Sequence, residues 1–280
     1  MRIALGKSLV TLAVAATCLA AVPASASAAD PWPAPFTHCP AGVVSHPGTG
    51  ATTATCVASV GTGGTFKLGK TVVTLKPGVT LQGGLGPRPG GFGFVPANDG
   101  MTLTGPDQSV PGGVLGVALI EDLIPGVTNI RAEVRLVGTP ELVLGANLDV
   151  TLPVQVRLKN VLLGPRCVIG TPSNPITLHL TTGTTVPPEG FDPMTGATGT
   201  IAQPPLGANV LEFVDQMIVD NTFPVPGATG CGALGLLDKL VDLKAGLPAP
   251  AGVSHAVLVT NTFAVAAADV GDVHGYEPGM

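Results

Sequence analysis

The chain has 280 residues, with 13 basic and 18 acidic side chains, only 11% charged residues, and 39 glycines and 28 prolines. An acidic balance repels phosphate backbones, which argues against nucleic acid as a partner. Val, Leu and Ile are too abundant for a disordered chain, and β-branched residues between Gly and Pro punctuation favour strands and turns over helices.

The N-terminus has the three-part layout of an export signal. Arg2 and Lys7 form a short positive region, Ser8 to Val22 is uncharged and apolar, and Ala26-Ser27-Ala28 suits a signal peptidase. The apolar stretch is shorter than the ~20 residues of a membrane span. Cleavage near residue 28 removes Arg2, Lys7 and Cys18, leaving 11 basic against 18 acidic residues, a net charge of −7. The cysteines that remain are Cys39, Cys56, Cys167 and Cys231. An even number in an exported chain points to disulfides, and three pairings are open. Cys39–Cys56 with Cys167–Cys231 is preferred because the first two share an N-terminal block.

In chain order, Asp30 to Pro40 reads as an irregular lead-in around Trp32. Val43 to His46 and Thr55 to Ser59 predict two short strands about a turn beginning at Pro47. Thr65 to Lys76 and Val79 to Gln82 follow, joined at Pro77-Gly78. Leu75 to Gly83 resembles one rung of a right-handed parallel β-helix, but no further rungs repeat it. Gly83 to Gly93 is read as a loop or a boundary. No Lys-Ser/Thr follows its glycines, so it lacks the features of a phosphate cradle. Val114 to Ile120 reads as a strand buried on both faces.

The clearest pattern runs from Asn147 to Lys159. Leu148, Val150, Leu152, Val154, Val156 and Leu158 alternate with polar residues and Pro153. That predicts one long strand with one buried face, and Pro153 suggests a sheet edge or a bulge. Ile130 to Leu136 and Ile176 to Leu180 alternate in the same way. Two short helices are expected. One runs from Val210 to Val219 behind an Asn209 cap, with Leu211, Val214 and Ile218 in a stripe. The other runs from Leu234 to Lys244, with Leu236, Leu237, Leu240 and Leu243 packing on the sheet and Gly246 and Pro248 ending it. Ser254 to Ala266 predicts a closing strand. Beyond Asp269 the chain is polar, and no wall-sorting signal is evident.

The fold expected is mainly β, an antiparallel sandwich or barrel with one or two short helices. The divisions expected are a signal peptide (1–28), an N-terminal disulfide-containing β module (29–83), a Gly/Pro-rich linker or loop (84–112), a main β domain (113–270) and a C-terminal tail (271–280). A membrane barrel would carry aromatic girdles, whereas Trp32 and Tyr276 are the chain's single Trp and Tyr.

Residues able to do chemistry are scattered. No Gly-x-Ser-x-Gly elbow occurs, and the mature serines are Ser45, Ser59, Ser109, Ser173 and Ser254. Ser45-His46 and Ser254-His255 are adjacent, but strand neighbours point to opposite faces. His38, His46, His179, His255 and His274 lack metal-ligand spacing, and no C-x-x-C is present. Glu121-Asp122 and the Glu189 and Asp192 pair read as turn and loop residues. Scarce aromatics disfavour sugar or single-strand stacking surfaces. No catalytic residue, cofactor site or metal site is assigned.

Several segments look like a family of secreted actinobacterial proteins with no assigned activity. They are Leu152 to Leu158, Cys167-Val168-Ile169-Gly170, Asn174-Pro175-Ile176, Leu180 to Thr185, Pro226 to Gly232 and Gly246-Leu247-Pro248. The resemblance covers roughly residues 147–250. It implies secretion and the Cys167–Cys231 pairing, and it adds no catalytic residue. The expectation is a secreted or envelope-associated structural or binding protein without catalysis, with envelope components or self-association as partners. The alternatives are a hydrolase with a dispersed site involving His179 or His255, and a lipid-binding or pore-forming barrel.

Overall fold

The computed structural model describes residues 33–41, 53–88, 91–112, 129–202 and 209–273. The expected signal peptide, the Val43 to His46 and Val114 to Ile120 strands, Trp32, Ser45, Glu121, Asp122, His274 and Tyr276 lie outside these residues.

Fifteen strands are described: β1 (Thr55–Leu68), β2 (Thr71–Thr74), β3 (Thr80–Arg88), β4 (Gly91–Pro96), β5 (Leu103–Thr104), β6 (Gln108–Val110), β7 (Ile130–Leu136), β8 (Glu141–Leu144), β9 (Leu148–Lys159), β10 (Val168–Ile169), β11 (Ile176–Thr181), β12 (Thr200–Ala202), β13 (Leu211–Asp220), β14 (Ala228–Thr229) and β15 (His255–Ala266). One α-helix, α1 (Asp238–Ala245), and two 3₁₀ turns, Ala233–Gly235 and Val270–Asp272, accompany them. The fold is mainly β and antiparallel, as the alternation predicts. Among the described residues the pairing path runs β14-β10-β9-β11-β13-β15-β1-β3-β4 and does not close on itself, as in a sandwich. The single β-helix-like rung is part of this antiparallel sheet, with β3 paired to β1 from Thr55↔Leu85 to Val60↔Thr80.

β9 is the long strand read from the sequence. Val150, Leu152, Val154, Val156 and Leu158 are all buried. They face a core that includes Ile176, Phe223 and Val225. Phe66 and Phe223 stack there with ring centroids 6.0 Å apart. Pro153 stands at neither a sheet edge nor a bulge. β9 pairs with β11 on one side, and on the other with β8 as far as Thr151 and with β7 from Val154. The Pro153 carbonyl accepts the Val137 N–H at 2.9 Å. A residue's N and O point to the same side of a strand, so the missing N–H falls in the gap between β7 and β8.

Two expected helical stretches are corrected. From Leu211 onward this stretch is strand rather than helix, and its irregular pattern has a specific cause. β13 carries a bulge between Phe213 and Gln216. The bulge inserts one residue into the period of two, so the residues on one face stand at Leu211, Phe213, Gln216 and Ile218. The bulge hides the alternation, and the expected stripe of Leu211, Val214 and Ile218 does not coincide with this face. In the second stretch, α1 begins only at Asp238, and Gly246 ends it in the left-handed conformation (φ 69°), as expected. The leucines expected to pack on the sheet divide: Leu237 packs against the core, whereas Leu236 is 77% and Leu243 75% exposed. Val241 and Ala245 also pack on the core, and carboxylates tie the helix down, with Asp242 Oδ1 accepting the Ala228 N–H and Asp238 Oδ1 the Cys231 N–H, both at 2.7 Å.

Residues 31–280 form one compact unit. The expected linker, 84–112, holds most of β3 and all of β4, β5 and β6. β1, from the expected N-terminal module, pairs with β15 from Thr55↔Ala266 to Lys67↔His255. A separate small cluster lies on the outer face of these strands, where Phe36, Cys39 and Val270 pack on Cys56, Phe263 and Val265.

The disulfides are Cys39–Cys56 and Cys167–Cys231, spanning 17 and 64 residues. Chain entropy makes them worth about 3 and about 4 kcal/mol. The double variant Cys167→Ala/Cys231→Ala is expected to lose more stability in urea unfolding than Cys39→Ala/Cys56→Ala. The reverse order would contradict this reading.

Candidate functional site

The histidines and carboxylates noted in the sequence do not converge. His38 Nδ1 lies 2.7 Å from Asp99 Oδ2. Burial works against ionisation of Asp99, but the Met101 N–H and the His38 ring outweigh it and hold the carboxyl below its usual range. His179 has Thr151 Oγ1 3.4 Å from its Nδ1, and its backbone N–H donates to the buried Asp220 Oδ2 at 2.6 Å. His255 is pushed down by burial and by Lys67, its cross-strand partner. Ser254 is fully buried and accepts the Gly69 N–H at 3.0 Å. Ser109 and Ser173 are exposed, as are Glu189 and Asp192. The Asp192 carbonyl accepts from Asn221 Nδ2 at 2.9 Å. Among the described residues no three His, Cys, Asp or Glu side chains group as metal ligands.

What the fold does assemble is an apolar cavity of about 600 Å³. Leu81, Leu85 and Phe94 line it from β3 and β4, Val150, Leu152 and Leu180 from β9 and β11, and Phe213, Ile218 and Leu258 from β13 and β15. This size is within the ~300–1,000 Å³ range of small-molecule sites. Phe92, Leu144 and Leu211 line it and are also exposed, Phe92 by 67% and Leu144 by 66%, so they form an apolar rim. Among the described lining residues Lys76 alone is charged, and it is exposed. A second cleft, bounded by Asn129, Leu158, Val161 and Pro165, carries the basic side chains of Arg131, Arg157 and Lys159. Its cations are largely met by carboxylates, with Lys159 Nζ 2.7 Å from Asp107 and 3.0 Å from Glu133.

The cavity wall has a polar spot. Gln216 and Thr260 are paired across β13 and β15. They are 4% and 5% exposed, and both line the cavity. Gln216 Oε1 and Thr260 Oγ1 are buried without a hydrogen-bond partner. Each such atom costs about 1–3 kcal/mol. One row along, Thr262 Oγ1 donates to Ser59 Oγ at 3.1 Å, so that neighbouring pair is satisfied.

Two bulges create the spot. In β1 the register slips between Gly61 and Gly63, directly beside Thr260. Gly61 is the residue opposite Thr260, so no side chain from β1 covers its hydroxyl. In β13, Asp215 takes a left-handed φ of 54°, and its N–H donates to Asn261 Oδ1 at 3.1 Å. The extra residue leaves Asp215 exposed and turns Gln216 inward.

The sequence reading missed this site. The signals available were the glycines of Gly61-Thr62-Gly63-Gly64 within a strand and the polar Asp215-Gln216 pair inside an apolar run. Isolated strand glycines mark bulges. No protein-family model matches the chain, and no curated protein or solved structure matches it either.

Glu212 lies on the opposite face of β13, paired with Phe263 of the outer cluster. Burial pushes its carboxyl above the ordinary range. A raised folded-state pKa favours the protonated form in the fold. The cost therefore appears as pH rises past the unfolded value of ~4.3, and it is full above the folded value. Glu212→Gln is expected to raise stability at pH 7, with the gain shrinking as pH falls toward 4 in urea unfolding. An equal gain at both pH values would contradict burial as the cause.

Proposed function

We propose that the chain is a secreted, non-catalytic binding protein that holds the hydrocarbon part of a small molecule inside its sheet. The cavity is the observation that carries this reading. It is deep, apolar and rimmed by exposed apolar side chains. Export is supported by the signal-like N-terminus and by two disulfides among the described residues. Among those residues no helix is long and apolar enough to cross a membrane. A pore of the barrel kind needs a closed ring of strands, and among the described residues the pairing path is open.

Binding follows from the hydrophobic effect. Burying one CH₂ gains ~0.8 kcal/mol, so a ten-carbon chain gains ~8 kcal/mol before association costs. Those costs are at least ~4 kcal/mol. A short hydrocarbon alone is thus held weakly, and affinity depends on chain length or on polar contacts.

N-phenyl-1-naphthylamine is expected to bind with one-to-one saturation and enhanced fluorescence. Ala264 is a small, half-buried residue in the wall, so Ala264→Trp should fill the cavity and weaken the probe at least about tenfold while the protein stays folded. No saturable binding by the native protein, or full binding by a folded Ala264→Trp, would contradict the proposal.

A further inference from the structure

We infer that the ligand is an uncharged amphipath, an aliphatic chain whose neutral head both donates and accepts a hydrogen bond, received by Gln216 and Thr260. This rests on the cavity being a binding site and specifies what the site takes.

The donor and acceptor pattern selects the head. Gln216 Oε1 only accepts, so it needs a donor. The Thr260 hydroxyl can donate or accept. The two residues are directly paired and line the cavity, and neither atom has a protein partner; both atoms are covered as the side chains stand, so a ligand meets them after a turn of the side chains toward the cavity. An alcohol satisfies both at once by donating to Gln216 Oε1 and accepting from Thr260 Oγ1. A carboxylate can accept from Thr260 or from the Gln216 amide N–H, but it leaves Gln216 Oε1 unmet and brings a charge into an apolar site. An ammonium could donate, but its charge would enter an apolar site without a counter-ion.

Charge is kept out by the backbone itself. No carboxylate lines the cavity among the described residues, and Lys76 is exposed. Strict alternation after Leu211 and Phe213 would turn Asp215 inward. The bulge instead leaves Asp215 exposed and substitutes a neutral amide. Gly61 opposite Thr260 leaves room at the same point. Desolvating an unpaired charge costs far more than desolvating a hydroxyl that finds partners. The site therefore discriminates by charge as well as by hydrogen bonding.

The test displaces bound N-phenyl-1-naphthylamine with 1-dodecanol, dodecane and dodecanoate, each delivered from cyclodextrin at pH 8. The native protein should bind dodecanol about ten- to a hundredfold more tightly than dodecane, the net effect of two hydrogen bonds once desolvation of the alcohol is counted. Dodecanoate should be weaker than dodecanol. Thr260→Val and Gln216→Met should each erode the preference for dodecanol over dodecane, and neither should lower the melting temperature, since each removes an unmet polar atom. Equal binding of alcohol and alkane by the native protein would overturn the inference, as would a preference surviving in both folded variants or tighter binding of the carboxylate. Each of these leaves the cavity as a hydrocarbon site. Failure of all three compounds and of the probe to bind would instead remove the binding reading along with it.

Discussion

β15 is hydrogen-bonded along its length to β1 on one side and to β13 on the other, and each neighbour carries a register break beside Thr260. A strand's side chains alternate faces, so one extra residue exchanges inside for outside from that point on. In β1 the exchange moves the inward positions from Val57 and Ser59 to Phe66 and Leu68. In β13 it moves them from Leu211 and Phe213 to Gln216 and Ile218. The same two breaks shape the interior. On one side of them Phe66 joins the packed core with Val154 and Phe223, and on the other the walls enclose open space.

The packed core and the cavity make different demands. The core around β9 supplies stability through alternating apolar residues with β7 and β11 on either side. The cavity forgoes that packing and leaves two polar atoms unmet. Such a cost persists in a fold only where the rest of the structure holds it in place. Here the restraints are continuous strand ladders, the Cys167–Cys231 bond at the core and the Cys39–Cys56 bond that ties the N-terminal segment to the outer face of β1.

The parts legible in the sequence are those where the period of two is unbroken. β9, β7 and β11 follow from alternation alone, and β15 emerges almost to the residue. β13 reads as helix because its bulge breaks the period of two, while Leu211, Val214 and Ile218 happen to stand at helical spacing although they do not share one face of the strand. β3 was misread because its glycines looked like turn residues, although they are packing residues. A Cβ at Gly83 would strike the Phe94 ring and the Val95 carbonyl, and one at Gly84 would strike Thr53. The leucines of α1 show the converse, since helical spacing set their order but not which of them is covered. The cavity was invisible because it is an absence of side-chain volume where distant strands face one another. The pairing of Gln216 with Thr260 depends on a register that composition does not encode.

The most direct measurement is the electron density inside the cavity in a crystal of the protein isolated from cells that export it. The account predicts an elongated density running between the sheet faces, its polar end within hydrogen-bonding distance of Gln216 and Thr260. A space closed by repacked side chains, or one holding only ordered water bridging those two residues, would contradict it.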